Sequence, residues 1–327
     1  MTKKENPAAL ETDCGDRDWA GTRAWVEKHG GGGCRVEAAE RLRGGWTSEM
    51  RRLRISGDGE PRWLVLRSFV RPFFARHAEG LLTREADTLR LLGGTDVPAA
   101  EFHAVDATAA HCDHPSLLMS LLPGAVRVDE AEAALRTPLL ARQLLGIHRV
   151  HVPAEARPRA YEAWAAPDRV RLPGHTGRPE LWQRAVDVIR RDPPAYRPCF
   201  LHRDFHPGNV LFTGRGSSLR ITGVVDWVET SWGPADLDVA HCSTALALLH
   251  GVEEGMRMAD AYAAAGGTLS DDPADHLYWR VLDALGFAPD AEKVGLPWRE
   301  LGRDDLTSDL LASRLEDYLQ ELFHRYG

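Results

Sequence analysis

Phe200-Leu201-His202-Arg203-Asp204-Phe205-His206-Pro207-Gly208-Asn209-Val210-Leu211-Phe212 is the densest stretch of the chain. Its two apolar ends have strand character, and the polar turn between them carries Asp204 and Asn209, five residues apart. Seventeen residues beyond Asn209, a further apolar run, Ile221-Thr222-Gly223-Val224-Val225, ends on Asp226-Trp227. A carboxylate at the end of a buried strand is unfavourable unless it is paired or bound to a metal. His202 and His206 stand four residues apart, a spacing that two zinc ligands on one helix could use. Pro207-Gly208 follows at once and no H-E-x-x-H is present, so this alternative is the weaker one.

H-x-D-x-H-P-x-N followed by two hydrophobic residues and Asp-Trp resembles the motif pair of the aminoglycoside phosphotransferase family, protein-kinase-like enzymes acting on small molecules. Gly233-Pro234 and Asp238-Val239-Ala240 continue the match to that family's D-W…G-x-P…D-L-A stretch, with glycine and proline adjacent here. The resemblance implies that Asp204 accepts the proton of a substrate hydroxyl while Asn209 and Asp226 hold Mg²⁺. Asp238 is expected to cap the next helix and tie down the catalytic loop. His148 matches the end of a family helix and is expected to pack rather than react.

Upstream, Arg35 to Ile55 carries two strand-like stretches around Gly44-Gly45-Trp46-Thr47-Ser48, and Ser56-Gly57-Asp58-Gly59 is a turn. Trp63 to Phe69 is apolar on both faces and reads as a buried strand. Leu82, Ala86, Leu89 and Leu92 recur at helical spacing until Gly93-Gly94. Thr137-Pro138 reads as an N-cap with a first-turn proline, opening a helix with Leu140, Leu144 and Leu145. Residues 152 to 180 read as a variable loop, and the pattern beyond Asp238 is helical. Strands first and helices later predict an α+β two-lobed fold, and the resemblance implies that it is protein-kinase-like: a small N-terminal antiparallel sheet plus helix, then a larger, mainly helical lobe. The expected divisions are an arm at 1–20, a nucleotide-binding lobe at 21–122 and a catalytic and substrate-binding lobe at 123–327.

Kinases hold the nucleotide phosphates with a strand cation oriented by a helix glutamate. No lysine lies between Lys28 and Lys293, so the resemblance assigns this pair to Arg67 and Glu85. Arginine is permanently charged and can grip phosphate with a forked donor set. Each also has a plain reading, Arg67 as a strand-edge surface residue and Glu85 as a solvated helix position. By the same resemblance Gly44, Gly45, Thr47 and Ser48 belong to the nucleotide-covering loop, and Met119 to Leu121 to the hinge whose backbone meets the purine. Gly30 to Gly33 lacks the following Gly-Lys-Ser/Thr of a Walker A loop and reads as a flexible linker.

Composition sets outer limits. With 327 residues, 43% hydrophobic and 27% charged, a sizeable core is available. A net charge of −8 argues against a general nucleic-acid binder. Ser243 to Gly327 carries 16 acids and 7 bases, either a solvated helical surface or a field for a cationic ligand. Five scattered cysteines without C-x-x-C indicate neither a disulfide framework nor a zinc ribbon. No signal peptide or membrane span is evident, and a cytoplasmic protein is expected. Within these limits the resemblance implies transfer of the γ-phosphoryl group of ATP or GTP, with Mg²⁺, to a hydroxyl of a small molecule. An aminoglycoside or other antibiotic or natural product is the favoured acceptor. A kinase for a metabolite such as choline or an amino-sugar, or a non-catalytic nucleotide-binding module, stands as the alternative.

Overall fold

A computed structural model describes residues 19–42, 48–57, 59–174 and 176–327. The chain divides into two compact units, one comprising residues up to Gly93 with Ala100–Leu121, the other Gly94–Ala99 with Leu122–Gly327.

In the first unit, α1 (Ala20–His29) precedes β1 (Arg35–Arg41), β2 (Glu49–Ser56) and β3 (Arg62–Ser68). Then come α2 (Pro72–Ala75), α3 (Ala78–Leu92), β4 (Phe102–Asp106) and β5 (Ser116–Ser120). The five strands form one antiparallel sheet in the order β1-β2-β3-β5-β4. Flanked on both sides, β3 buries Leu64, Val65, Leu66, Arg67 and Ser68, which is why its sequence lacks polar alternation. Trp25 and Val26 of α1 share a core with Leu53, Ile55, Leu64, Leu66 and Leu118. The helix α1 was not anticipated. The segment Gly30 to Gly33 is a turn joining it to β1 rather than a free linker: Gly31 and Gly33 take φ of 106° and 62°, and Cys34 N–H closes on the Gly31 carbonyl at 3.1 Å.

The second unit runs through β6 (Ala125–Val126), α4 (Ala133–His148), α5 (Pro179–Ile189), β7 (Pro198–Leu201), β8 (Val210–Thr213), β9 (Arg220–Val224) and β10 (Ser231–Pro234). It finishes with α6 (Ala235–His250), α7 (Val252–Ala264), α8 (Pro273–Leu285), α9 (Glu292–Glu300) and α10 (Ser308–Tyr326). β6, β8 and β9 make a small sheet, and β7 pairs with β10. Every residue from Leu237 to Leu249 is buried, so α6 is enclosed on all sides and central. Trp182 of α5, Trp279 of α8 and Leu315, Tyr318 and Leu319 of α10 share the large core with it. The helix α4 corrects the capping reading of Thr137-Pro138. It starts a turn earlier, with Pro138 inside it, and Thr137 gives its hydroxyl to Glu254 instead of capping. Among the described residues no helix is long and apolar enough to cross a membrane.

Candidate active site

Two antiparallel pairings bracket the loop that carries Asp204. Leu201 ends β7 opposite Ser231, and Val210 opens β8 opposite Val224. Between them Arg203 adopts φ of 74°, a left-handed conformation that a non-glycine residue keeps only when its surroundings enforce it. Asp238 does the enforcing: its two carboxylate oxygens accept the His202 and Arg203 N–H groups, both at 2.8 Å. His148 Nε2 adds a third contact to Asp238 at 3.3 Å, with its Nδ1 on the Tyr262 hydroxyl at 2.7 Å. Against the effect of burial, the His148 hydrogen bond and nearby positive charge hold the Asp238 carboxyl below the usual carboxylate range. Asp238 ties the loop down as expected but does not cap α6, which begins at Ala235 with no side-chain cap.

The loop's two histidines share one tautomer, each accepting a backbone N–H on Nδ1 and keeping its proton on Nε2. His202, fully buried, accepts Asp204 N–H on Nδ1 at 3.2 Å and faces the Val225 carbonyl with Nε2 at 3.0 Å, against the ring of Trp227. Both its nitrogens are committed, which removes it as a zinc ligand. His206 accepts Gly208 N–H on Nδ1 at 3.0 Å, so its proton sits on Nε2, 3.7 Å from Asp204 Oδ1. Burial pushes His206 down to about 4 despite the adjacent Asp204. A Cβ at Gly208 would meet His206 Cε1 at 2.6 Å, so this turn needs glycine.

Asp204 has two partners that the sequence did not announce together. Its Oδ2 takes the Asn209 amide Nδ2–H at 2.9 Å, and its Oδ1 takes His241 Nε2–H at 3.1 Å. His241, on α6, turns its Nδ1 to Asp283 Oδ1 of α8 at 3.0 Å. With a carboxylate on each ring nitrogen, His241 is an imidazolium: burial opposes the charge, but Asp283 and Asp204 raise it to about 9. Burial would raise Asp204, yet the His241 hydrogen bond and the neighbouring histidines hold it far below its ordinary value.

Asp204, His206 and His241 each offer an atom, all within 4.8 Å of one another, as a metal triad would. The two imidazole nitrogens facing Asp204 carry protons, however, His241 Nε2 hydrogen-bonding it at 3.1 Å and His206 Nε2 standing 3.7 Å away, so the three are not arranged as a ligand set. Mg²⁺ fits a different pair. Val225 N–H bonds the Asn209 carbonyl at 3.0 Å, which sets Asn209 and Asp226 at the same end of the β8–β9 ladder. The Asn209 amide nitrogen is engaged by Asp204, leaving its Oδ1 as the acceptor, and Asp226 supplies carboxylate oxygens. Hard oxygen donors of this kind suit Mg²⁺. Asp226 takes φ of 66°, another left-handed residue.

In the first unit Arg67 and Glu85 meet. Glu85 lies among Leu82, Ala86 and Leu89 on the buried face of α3, 1% exposed, and Arg67 is 4% exposed on β3. Arg67 Nη1 reaches Glu85 Oε2 at 3.0 Å and Oε1 at 3.1 Å, and its Nε donates to Ser48 Oγ at 3.0 Å. Both plain readings are therefore set aside: neither residue is solvated. Ser48 is buried against Arg67. Met119 lies within β5, paired with Val65 and Phe102, while Leu121 gives its N–H to the Trp63 carbonyl at 3.4 Å. The expectations for Gly44, Gly45 and Thr47 fall outside the described residues.

Sequence reasoning missed His241, Asp283 and Trp164. His241 stands one helical turn after Asp238, a spacing that would place both on one face of α6. Asp283 gave no local signal. Trp164, from the stretch read as a variable loop, presents its ring edge-on to His241 at 5.1 Å and stacks under Arg203 at 4.4 Å, with 38% of its surface exposed.

A profile described as the phosphotransferase enzyme family matches residues 38–282. No curated protein matches the chain. Among solved structures, a macrolide 2′-phosphotransferase from Brachybacterium faecium aligns with a TM-score of 0.54 at 18% identity, over 90% of this chain and 97% of its own. A spectinomycin phosphotransferase in complex with ADP and spectinomycin aligns at 0.56 and 13%, over 93% and 98%. A thermostable aminoglycoside phosphotransferase variant, in ternary complex with ADP and hygromycin B, aligns at 0.56 and 15%, over 91% and 97%. The kinase-like fold, an N-terminal five-stranded antiparallel sheet followed by a mainly helical part, is common to them. The chain belongs to the phosphotransferase enzyme family.

Proposed function

We propose that this member of the phosphotransferase enzyme family moves the γ-phosphoryl group of ATP or GTP to a hydroxyl of a small molecule, with Asp204 as the residue that orients and deprotonates that hydroxyl. The observation that carries the reading is the Asp204 carboxylate, 30% exposed, held at Oδ2 by Asn209 at 2.9 Å. In the proposed step the acceptor oxygen bonds to the γ-phosphorus as the bond to the β–γ bridging oxygen breaks, and the hydroxyl proton passes to Asp204. Asn209 and Asp226 would hold Mg²⁺, which when bound neutralises the clustered phosphate charge. Arg67, kept in one orientation by Glu85 and Ser48, would grip phosphate oxygens, with Gly44, Gly45 and Thr47 nearby in sequence and the Met119–Leu121 backbone toward the purine. Positioning and charge neutralisation carry most of the barrier reduction in such transfers.

An antibiotic or other natural product is the acceptor we favour, because the similar structures include phosphotransferases solved with spectinomycin and hygromycin B. The acid excess after Ser243 is a weaker argument for a polycation than composition suggested. Asp260 is paired with Arg325 at 2.5 Å, Asp305 with Arg303 at 2.8 Å and Asp317 with Arg178 at 2.8 Å. The exposed Trp164 ring beside His241 favours an acceptor with an apolar face, so macrolide-like as well as sugar-like hydroxyls belong in a screen. The described cysteines form no disulfide, which suits a reducing cytoplasm.

Asp204→Asn is expected to leave Mg·nucleotide binding nearly intact and to lower turnover at least ~100-fold, the low end for a lost general base. Asp226→Ala should abolish magnesium-dependent nucleotide binding. Phosphorylated products from a hydroxylated antibiotic and metabolite panel, read by mass spectrometry, would identify the acceptor. Wild-type turnover in Asp204→Asn would refute the assignment.

A further inference from the structure

We propose that His241 is a positioning residue for phosphoryl transfer: an imidazolium anchored by Asp283 that pins one oxygen of the Asp204 carboxylate while Asn209 pins the other. The inference rests on the reading of Asp204 as the group that receives the acceptor proton.

The geometry leaves His241 little freedom. Its ring stacks on Phe287 at 5.6 Å with 26° between planes, and meets Trp164 edge-on at 5.1 Å. Its Nδ1 donates to Asp283 at 3.0 Å and its Nε2 to Asp204 at 3.1 Å. A neutral imidazole has one N–H, and would turn a lone pair toward one of these carboxylates. Asp283 is itself 4% exposed, and its second oxygen accepts the Thr244 hydroxyl at 2.6 Å. A carboxylate on α8 thus fixes the tautomer and tilt of a histidine on α6, which in turn fixes a carboxylate on the catalytic loop. The logic is that of an outer group orienting an inner one. With Oδ1 on His241 and Oδ2 on Asn209, the Asp204 carboxylate has one orientation to offer an incoming hydroxyl. His241 does not touch the reacting atoms in this scheme. Lys293, whose ammonium sits 4.3 Å over the Phe287 ring, bonds the Gly286 carbonyl instead.

The test uses the full-length protein and slow hydrolysis of Mg·ATP and Mg·GTP, with water as acceptor, so no acceptor need be known. His241→Gln should lower kcat by on the order of 10-fold to 100-fold, the range for removing an orienting outer group. The nucleotide KM should stay within about 2-fold, because the nucleotide ligands are untouched. Asp283→Asn should lower kcat less, and adding it to His241→Gln should lower kcat no further, since the two act as a unit. A merely structural His241 predicts loss of thermal stability with kcat per folded molecule unchanged, and that result would overturn the proposal. If the variants do not fold, ¹⁵N-histidine NMR of the wild-type protein decides. The His241 ring, assigned through its contacts to Phe287, should carry protons on both nitrogens near pH 7, and a neutral ring there overturns the proposal. Asp204→Asn run in parallel separates the two levels. Full turnover in that variant sinks the phosphotransfer reading itself, whereas a dead Asp204→Asn beside a fully active His241→Gln sinks only the present inference.

Discussion

Glu85 is buried, which decides between its two readings from the sequence, a solvated helix position and, by resemblance, the partner of Arg67. It interrupts the apolar face made by Leu82, Ala86 and Leu89, and a carboxylate there needs a cation. The sole lysines are Lys3, Lys4, Lys28 and Lys293, so arginine was the remaining strand cation, and β3 places Arg67 at 3.0 Å from it. Removing one member of a buried pair leaves the other uncompensated, so Glu85→Gln should destabilise the protein by roughly 3 kcal/mol in urea unfolding. On kcat/KM, Arg67→Lys should keep partial activity, since lysine restores the charge without the planar fork that spans Glu85 and Ser48. Arg67→Ala should lose more, and Glu85→Gln added to it should change little. A double-mutant cycle with coupling within error of zero would separate the pair from the nucleotide. The bond from Arg67 to Ser48 was not legible, because it joins β3 to the segment before β2 through a register that only pairing sets.

At the scale of elements, the loop that carries Asp204 is a strained connection stabilised from a helix. β7 and β8 were visible as apolar runs, and the turn between them as Pro207-Gly208. What holds Arg203 at φ 74° is Asp238, in the first turn of α6. Asp238→Ala would leave two buried N–H groups without acceptors and remove the partner of His148. A loss of at least ~2 kcal/mol is expected from the N–H groups. Turnover should fall as well, because the relaxed loop no longer presents Asp204. Denaturant unfolding with a change under ~0.5 kcal/mol would show that the loop keeps its shape without Asp238. The start of α4 was misread for a related reason. Thr137-Pro138 has the local chemistry of a helix opening, but Thr137 is drawn into a buried bond with Glu254 of α7, and the helix extends back to Ala133.

At the scale of the whole molecule, the histidines around Asp204 make stability depend on pH in two opposite directions. His241 is raised from 6.5 to about 9, so between these values the folded protein holds a proton that the unfolded chain has released. Its contribution is full below pH 6.5 and is lost as pH rises through 9. His206 is lowered to about 4, so between pH 4 and 6.5 the unfolded chain binds the extra proton and stability falls on acidification. Unfolding free energies from pH 5 to pH 9.5 should therefore peak near 6.5, and His241→Gln should flatten the alkaline limb and soften the acidic one, because the His241 charge is among the groups that lower His206. An unchanged alkaline limb would mean that His241 is not charged in the folded state. The sequence by itself determined the broad order of strands before helices, the polar turn and strand end bearing Asp204, Asn209 and Asp226, and the lack of lysine that leaves arginine as the strand cation the resemblance calls for. These follow from local apolar period, turn chemistry and residue type. Tertiary structure alone decided that His241 lies between Asp204 and Asp283, and that Trp164 shields it. Those contacts join α6, α8 and a loop across stretches of 37 to 42 residues and more, where no periodicity links the partners and only packing brings the charges together.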